Sequence, residues 1–208
     1  MKLYYSPGAC SFAPHIVLEE INMPYEIELV STMDGSTRTH EYLQINPKGR
    51  VPVLDLNGEI ITEAAAIMIC LALQNPDSNL IQNTPIGMAR TIEWMNWLSG
   101  IHAFAIAQNW RTERFSDDTQ AHEALQAKGM NNLQDLYSLI DAKLEGTKWA
   151  VGSEYSITDP YLLVFFRWGN RLGLKMSDYK NWTRHAERME CRPAVISVLE
   201  KEEISIWK

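Results

Sequence analysis

The sequence predicts an α/β domain followed by an all-helical domain. Strand and helix patterns alternate in the first part of the chain, and no strand pattern appears after Thr84. Between the two parts, residues 76–84 (PDSNLIQNT) are mainly polar and rich in turn-forming residues. We therefore expect a boundary there, with one domain at residues 1–77 and another at residues 85–208.

The first domain is predicted to run strand, helix, strand, short helix, hairpin, helix. KLYY favours a strand, and the helix that follows can be capped by Ser11 and must end before Pro24. YEIELV alternates as a second strand, and residues 38–43 favour a short helix. This order of elements predicts a small mixed sheet covered by helices.

The segment VPVLDLNGEIIT predicts a β-hairpin. Its two apolar runs are joined by Asn57 and Gly58, which tolerate the positive φ angles of a tight turn. After Thr62, a candidate N-cap, residues 63–73 are apolar almost all round and predict a helix buried on most faces. Cys70, inside this run, is expected to be a core thiol.

The second domain is predicted to contain long helices. Ser156 and Asp159 in SITD have the spacing of a capping box before the apolar run YLLVFF, which indicates a structural role. Helices are expected at residues 85–111, 117–144 and 158–171, with shorter ones after Asp178 and Cys191.

Composition excludes several classes of function. The chain of 208 residues has a formal net charge of −7 and no basic cluster, which argues against nucleic-acid binding. Its five histidines show no paired metal-ligand spacing, so no metal site is expected. No apolar run is long enough to span a membrane. The three cysteines are odd in number and far apart, which favours reduced thiols and a cytoplasmic protein.

Three segments together resemble one known family. YYSPGACSFAPHIVLEE, INPKGRVPVLDLNGEIITEAAAI and SITDPYLL look like the bacterial, cysteine-containing, beta-like branch of the cytosolic glutathione transferases. The resemblance covers essentially the whole chain. It implies a thioredoxin-like domain followed by a helical domain, glutathione as co-substrate, a role in detoxification and a homodimer.

The resemblance also implies where glutathione binds. The proline matching Pro52 has a cis peptide bond in that family, which leaves the backbone of Val51 free to pair with the cysteinyl part of glutathione. Arg50, the residue before Val51, is also expected to bind glutathione. Glu63 would accept from the γ-glutamyl amino group, and the Ala64 N–H would donate to its carboxylate at a helix N-terminus.

Cys10 and its neighbours are the candidate catalytic residues. A thiol at a helix N-terminus can have a lowered pKa, and CSFA has the C-x-x-C spacing without the second cysteine. Glutathione could be activated by hydrogen bonds from Cys10, Ser11 or Tyr5 and attack an electrophile. Alternatively, Cys10 itself could attack a disulfide, as in a thiol-disulfide reductase or peroxidase.

His102 matches a histidine that faces the glutathione site in beta-like relatives. Ser99 shares its helix face at i, i+3, but Asn96 lies six residues before His102 where the family has an asparagine seven residues before. Either Asn96 has lost that role, or the helix contains an irregularity such as a π-bulge.

Two further departures weaken glutathione binding in this interpretation. Ala64 lacks the hydroxyl that many relatives have, and the loop STMDGSTRTH lacks their lysine, offering only Arg38 and His40. A non-catalytic protein that binds apolar ligands or a protein partner is therefore a third alternative. If the chain is an enzyme, apolar walls for a small electrophile could come from five aromatic residues: Phe104, Trp110, Phe115, Trp168 and Trp207.

Overall fold

The first half of the chain forms a four-stranded mixed sheet with helices packed against it. The computed structural model describes residues 1–208. The strand order is β2-β1-β3-β4, in which β1 and β2 are parallel and the other two pairs are antiparallel. The elements are β1 (Lys2–Tyr5), α1 (Phe12–Ile21), β2 (Glu26–Leu29), α2 (His40–Ile45), β3 (Val53–Leu56), β4 (Glu59–Thr62) and α3 (Ala64–Gln74).

The predicted hairpin is present in the predicted register. Asn57 and Gly58 both have positive φ, at 57° and 96°, and Leu56 lies opposite Glu59. The Gly58 N–H donates to the Asp55 carboxylate at 2.7 Å, which closes the turn. The hairpin fixes the two strands that lead into the start of α3.

The second half is entirely helical. The prediction of one helix over residues 85–111 is wrong in detail, because a π-helical segment interrupts it at His102–Ile106. The helices are α4 (Pro85–Ile101), α5 (Ala107–Trp110), α6 (His122–Lys143), α7 (Thr158–Arg171), α8 (Lys180–Glu190) and α9 (Pro193–Lys201).

One buried apolar core runs through both halves. Phe12 and Ile16 of α1 belong to the same contiguous cluster as Phe165 and Phe166 of α7. Helix α1 packs against α3 on one side and against α7 and α9 on the other. The sheet and the helical half are therefore held in a fixed relation, with the loop before α1 between them. The domain limits at residues 77 and 85 stay a prediction.

Helix α3 is buried on one face only, contrary to the sequence-based expectation. Ala64, Ile67, Met68, Leu71 and Ala72 are buried at helical spacing. On the opposite face Cys70 is half-buried and Leu73 is 55% exposed, so Cys70 is not a core thiol. Thr62 does not cap this helix either, since the N-cap position is Glu63 and no side chain caps it. 

The capping box at α7 is present and is fully buried. Asp159 accepts from the backbone N–H groups of Ser156 and Ala150 at 2.8 and 2.9 Å, and Ser156 Oγ accepts from the Thr158 N–H at 3.3 Å. Asp159 also lies 2.8 Å from Nε2 of the buried His185. Asp159 thus joins the start of α7 to α8 and to the preceding loop.

Replacing Asp159 with alanine should destabilise the protein strongly. The change leaves two buried N–H groups and His185 without their acceptor, and breaking a buried pair in this way costs about 3–5 kcal/mol. Urea unfolding measures the loss. Asp178→Ala, at an exposed carboxylate, is the matched control and should change stability by less than about 0.5 kcal/mol. A loss below about 1 kcal/mol for Asp159→Ala would contradict this role.

None of the helices combines the length and hydropathy that a bilayer crossing requires. No group of three or more His, Cys, Asp or Glu side chains is arranged to hold a metal ion.

Candidate functional site

A cleft between the sheet domain and the helical domain brings the predicted site residues together. Five separated stretches of sequence form it: the loop before α1, the segment before β3, the start of α3, the end of α4 and the first turn of α7. Every predicted site residue except Tyr5 and Ser11 lines it, namely Cys10, Arg50, Val51, Pro52, Glu63, Ala64, Ser99 and His102. Asn46, Lys48, Thr62, Ala103 and Tyr161 complete the lining.

Ser11 shapes the loop that carries Cys10, but it does not line the cleft. Its side chain is fully buried, and its hydroxyl donates to the Ser6 carbonyl at 3.0 Å and accepts from the Ser6 N–H at 3.1 Å. It makes no capping hydrogen bond to α1, contrary to expectation. These two bonds engage the hydroxyl away from the cleft, so the geometry favours a structural role over the predicted catalytic one.

Tyr5 does not line the cleft either. Its ring packs against the His15 ring, with centroids 5.7 Å apart. Burial, and then the negative charges of Glu202 and Glu203, raise the pKa of its hydroxyl. The geometry therefore does not support the predicted catalytic role of Tyr5.

The peptide group of Gly8 is held from both sides by the C-terminal part of the chain. The Gly8 N–H donates to Glu202 Oε2 at 2.7 Å, and its carbonyl accepts from Trp168 Nε1 at 2.9 Å. The other Glu202 oxygen lies 2.8 Å from Nδ1 of His15, and both side chains are fully buried. Gly8 has a φ of 64°, and a side chain there would collide with the Arg167 guanidinium. We call Gly8, His15, Trp168 and Glu202 the Gly8 clamp.

The Gly8 clamp fixes the backbone two residues before Cys10. It joins α1 and the loop before it to α7 and to the residue after α9, so the cleft's thiol is positioned by both domains. Sequence reasoning missed His15 and Glu202, because they are 187 residues apart and no local pattern links them. Trp168 was considered for the wall of an acceptor pocket, but it is only 4% exposed.

The other aromatic candidates are divided between core and surface. Phe104 is 55% and Phe115 42% exposed, and Trp110 is half-buried with its edge against Trp168. Trp207 donates to the Glu190 carboxylate and packs on Phe166, far from the cleft lining. Phe104, Trp110 and Phe115 therefore stay candidates for an acceptor pocket, and Trp207 does not.

The backbone at Val51 is available to a ligand. The Val51–Pro52 peptide bond is cis, as the resemblance implies. Neither the N–H nor the carbonyl of Val51 has a hydrogen-bond partner within the chain. By contrast, the adjacent Arg50 carbonyl accepts from Tyr42 and from the Asn46 side chain, which hold this segment in place. An unpaired peptide beside a cleft is a site for main-chain pairing with an extended ligand.

The start of α3 presents free backbone N–H groups to the same cleft. Glu63 occupies the N-cap position with a φ of 73°, and no side chain caps the helix. Its exposed carboxylate pairs with the Lys48 ammonium. Sequence reasoning found no lysine in the loop after β2 and missed Lys48, which comes from the turn after α2 and reaches the cleft from there.

The thiol of Cys10 is not activated as the sequence predicted. Burial, and then the negative charge of Glu63, raise its pKa to about 12, and backbone hydrogen bonding and Arg50 oppose this only in part. Helix α1 begins at Phe12, so Cys10 lies in the turn before the helix rather than in its first turn. The expectation of a lowered pKa is therefore wrong, and Cys10 is a neutral thiol able to donate a hydrogen bond.

His102 lies in the cleft as an uncharged imidazole. Burial, and then the charges of Arg50 and Arg114, lower its pKa to about 4. The π-helical segment begins at His102, so the helix irregularity proposed from the spacing is present. It lies after the stretch between Asn96 and His102, however, and Asn96 is exposed and absent from the cleft lining. The π-helical segment therefore does not bring Asn96 into the site, and Asn96 does not have the role of the family's asparagine.

Tyr161 is a site residue that the sequence did not reveal. It lies in SITDPYLL, four residues into α7, and its hydroxyl is 3.2 Å from Ser99 Oγ at the cleft wall. Burial, and then Cys10, raise its pKa, so it remains a neutral hydroxyl. The cleft thus contains three uncharged donors near one another: Cys10, Ser99 and Tyr161.

Comparison with known proteins identifies the family. Residues 8–74 match the model of the glutathione S-transferase N-terminal domain, and residues 96–193 match that of the C-terminal domain. Glutathione S-transferase GstA of Escherichia coli O157:H7 is 32% identical over 205 residues, which make up 97% of this chain and 98% of that protein. The chain belongs to the glutathione S-transferase family.

Solved structures of glutathione S-transferases have the same fold. A homolog from Sulfitobacter, determined with bound glutathione, superposes with a TM-score of 0.92 at 29% identity, covering 96% of this chain and 97% of that one. The bacterial beta class enzyme of Sphingomonas chungbukensis has a TM-score of 0.83 at 33% identity, over 99% and 100% of the chains. The predicted family, two-part fold and transferase class are confirmed.

Proposed function

We propose that this glutathione S-transferase binds glutathione in the cleft between its domains and conjugates it to small apolar electrophiles. The observation that carries the proposal is that four distant segments, each assigned to glutathione by resemblance, line one cleft. Turnover of a chlorodinitrobenzene with glutathione tests it. Glutathione-dependent release of chloride above the uncatalysed rate is expected, and its absence would contradict the proposal.

The cysteinyl part of glutathione is placed against Val51. Its N–H and carbonyl can pair with the two unpartnered groups of that residue as a short added strand. The hydrogen bonds from Tyr42 and Asn46 to the Arg50 carbonyl hold that segment in place before any ligand arrives. Pre-organisation of this kind limits the entropy lost on binding.

The γ-glutamyl part is placed at the start of α3. Its carboxylate can accept from the Ala64 N–H at the positive end of the helix dipole, and its ammonium can donate to Glu63. Lys48 and Arg50 supply positive charge to the same cleft for a peptide with two carboxylates. They compensate for the hydroxyl that Ala64 lacks and for the lysine absent from the loop after β2.

Glu63→Gln is expected to weaken glutathione binding about tenfold. The change removes the negative acceptor for the ligand's ammonium while keeping the side chain's size, and a hydrogen bond to a charged group contributes about 1.5–3 kcal/mol. Titration calorimetry measures the dissociation constant. Glu59→Gln, on the exposed face of β4, is the control and should bind as the unchanged protein does. Equal affinity in both variants would contradict this placement.

The chemical step requires glutathione as a thiolate. We infer that the Cys10 thiol donates a hydrogen bond to the glutathione sulfur and lowers its pKa, assisted by the nearby Ser99 and Tyr161 hydroxyls. The thiol proton is released to water, and the sulfur forms a bond to the electrophilic carbon. With an aryl halide, the halide leaves with the bonding electron pair.

The pH dependence should report glutathione alone. With a pKa of about 12 for Cys10 and about 4 for His102, neither group titrates between about pH 5 and pH 9. The rate should therefore rise with pH through one ionisation, that of the bound thiol, because only its deprotonated form attacks. The initial-rate profile of His102→Gln should keep this single rising limb. A second limb that disappears with His102 would show that the imidazole acts as a base.

The rival role of Cys10 as a nucleophile is disfavoured by the same pKa. A thiol with a pKa of about 12 is almost wholly protonated at neutral pH, and the thiolate is the form that attacks a disulfide. The non-catalytic alternative rested partly on the missing lysine. Because Lys48 lines the cleft from another segment, that argument is weaker.

A homodimer is also proposed. The outer face of α3 has an apolar stripe in which Ala66 and Leu73 are exposed and Ile69 and Cys70 are half-buried. Sedimentation of the unchanged protein should give twice the mass of one chain. Leu73→Arg should reduce the measured mass to that of one chain.

The three unpaired cysteines are compatible with the expected cytoplasmic location.

A further inference from the structure

Unpaired positive charge lies in and near the cleft: Arg50 lines it, and Arg114 is near enough to act on His102 within it. Arg38, Arg50, Arg111 and Arg114 make no ion pair with a carboxylate, although the chain has a net charge of −7 and eight lysine or arginine ion pairs elsewhere. Only Arg111 donates hydrogen bonds, to the carbonyls of Trp110 and Thr32 at 2.9 and 3.5 Å. We call these four residues the arginine cluster.

The arginine cluster is assembled from both domains. Arg50 lines the cleft beside Cys10 and His102, and the Arg38 guanidinium packs on the backbone at Gly49, next to Arg50. Arg111 follows α5 and reaches the loop after β2 through the Thr32 carbonyl. Arg114 ends the turn that begins directly after Arg111.

These charges act on one another and on the cleft. After burial, the charges of Arg50, Arg111 and Arg38 lower the pKa of Arg114 against the opposing effect of Glu113. Those of Arg50 and Arg114 lower the pKa of His102 against that of Glu63. Like charges this close repel each other, so a bound anion would relieve an unfavourable interaction. Positive charges beside a cleft also attract anionic ligands.

Arg111 and Arg114, the two arginines of the cluster that belong to the helical domain, are separate from the groups already assigned to glutathione. The start of α3, Lys48 and Arg50 all belong to the sheet domain, whereas Arg111 and Arg114 lie in the domain that holds Phe104 and Phe115. These two rings are exposed and belong to the segments that follow His102 and Arg114. The helical domain therefore has unpaired positive charge and exposed aromatic rings close together in its sequence, in the segments that follow His102.

We propose that Arg111 and Arg114 bind the carboxylate of the acceptor substrate, so that the preferred acceptors are apolar electrophiles that carry an anionic group. A halogenated aromatic carboxylate is the model compound of this class. The inference rests on the proposed transferase function and names its substrate class. In the reaction, the glutathione sulfur bonds to the ring carbon, chloride leaves with the bonding pair, the thiol proton passes to water, and the carboxylate is unchanged.

A matched pair of acceptors tests the proposal: a chlorodinitrobenzoate and its methyl ester. The ester has the same ring and leaving group without the negative charge. For each acceptor, kcat/KM is divided by the uncatalysed rate constant with glutathione, which removes the difference in intrinsic reactivity. The ratio of the two normalised values, carboxylate over ester, is the selectivity.

The selectivity should exceed one at low salt and fall towards one as the salt concentration rises, because salt screens charges at an open cleft. In the double variant Arg111→Gln/Arg114→Gln it should fall at least fivefold. Arg90→Gln, at an arginine already paired with Glu93 on α4, is the control and should keep the selectivity of the unchanged protein. The salt series needs no variant, so it tests the proposal even if the double variant does not fold.

Two results would overturn the proposal. One is a selectivity of one or less at low salt, and the other is a selectivity that the double variant does not change. If the double variant also weakened glutathione binding, measured by calorimetry, that second result would show that the arginines serve glutathione instead. Turnover of neither acceptor would instead contradict the transferase function itself, which the ester reports independently of charge.

Discussion

Cys10→Ala is expected to slow conjugation roughly ten- to a hundredfold while leaving the fold intact. The variant removes the donor to the glutathione sulfur, and a hydrogen bond to a charged group contributes about 1.5–3 kcal/mol, where each 1.4 kcal/mol corresponds to tenfold in rate. The pKa of bound glutathione should rise together with the loss in rate. Its thiolate absorbance, measured as a function of pH in the complex, provides that second observable.

Two further variants sharpen this test. Cys10→Ser keeps a donor at the same place and should retain most of the rate. Cys70→Ala removes a half-buried thiol on α3 that does not line the cleft, and it should behave as the unchanged protein does. If Cys10→Ala and Cys10→Ser both lost disulfide reduction but kept conjugation, Cys10 would be a nucleophile and the reductase alternative would be correct.

Glu202→Ala is expected to be the most damaging single change at the site that does not touch the ligand. It leaves the Gly8 N–H and His15 buried without their acceptor, and removing one partner of such a buried pair costs about 3–5 kcal/mol. Because the Gly8 clamp holds the loop that carries Cys10, glutathione affinity and rate should also fall. Urea unfolding and titration calorimetry measure the two effects.

The control for this prediction is Glu200→Ala. Glu200 lies two residues before Glu202 and its side chain is exposed, so its loss should leave stability within about 0.5 kcal/mol. Glu202→Gln is a finer probe, since it keeps an acceptor for one neighbour and removes the charge. Unchanged stability and affinity in Glu202→Ala would show that the clamp does not position the loop.

Features that depend on local sequence were predictable. Asn57 and Gly58 specify a turn through their own backbone preferences, and the hairpin formed where expected. The helix expected at residues 158–171 has those bounds, and the Ser156–Asp159 box marks its start. The residues assigned to glutathione by resemblance lie in short motifs and line one cleft, and their role in binding stays a proposal.

Features that depend on contacts between distant residues were not predictable. The Gly8–Glu202 bond joins positions 194 residues apart, and nothing near either residue signals the other. Lys48 reaches Glu63 only because the turn after α2 folds over the start of α3. The pKa of Cys10 was predicted in the wrong direction because its position in the sequence suggests a helix dipole, whereas its burial is set by the packing of both domains.

The most direct test of the central claim is titration of glutathione into the protein by calorimetry. The cleft predicts one binding site per chain with a dissociation constant below millimolar, and weaker binding in Glu63→Gln but not in Glu59→Gln. Absence of binding at millimolar glutathione would contradict the account, whatever the acceptor.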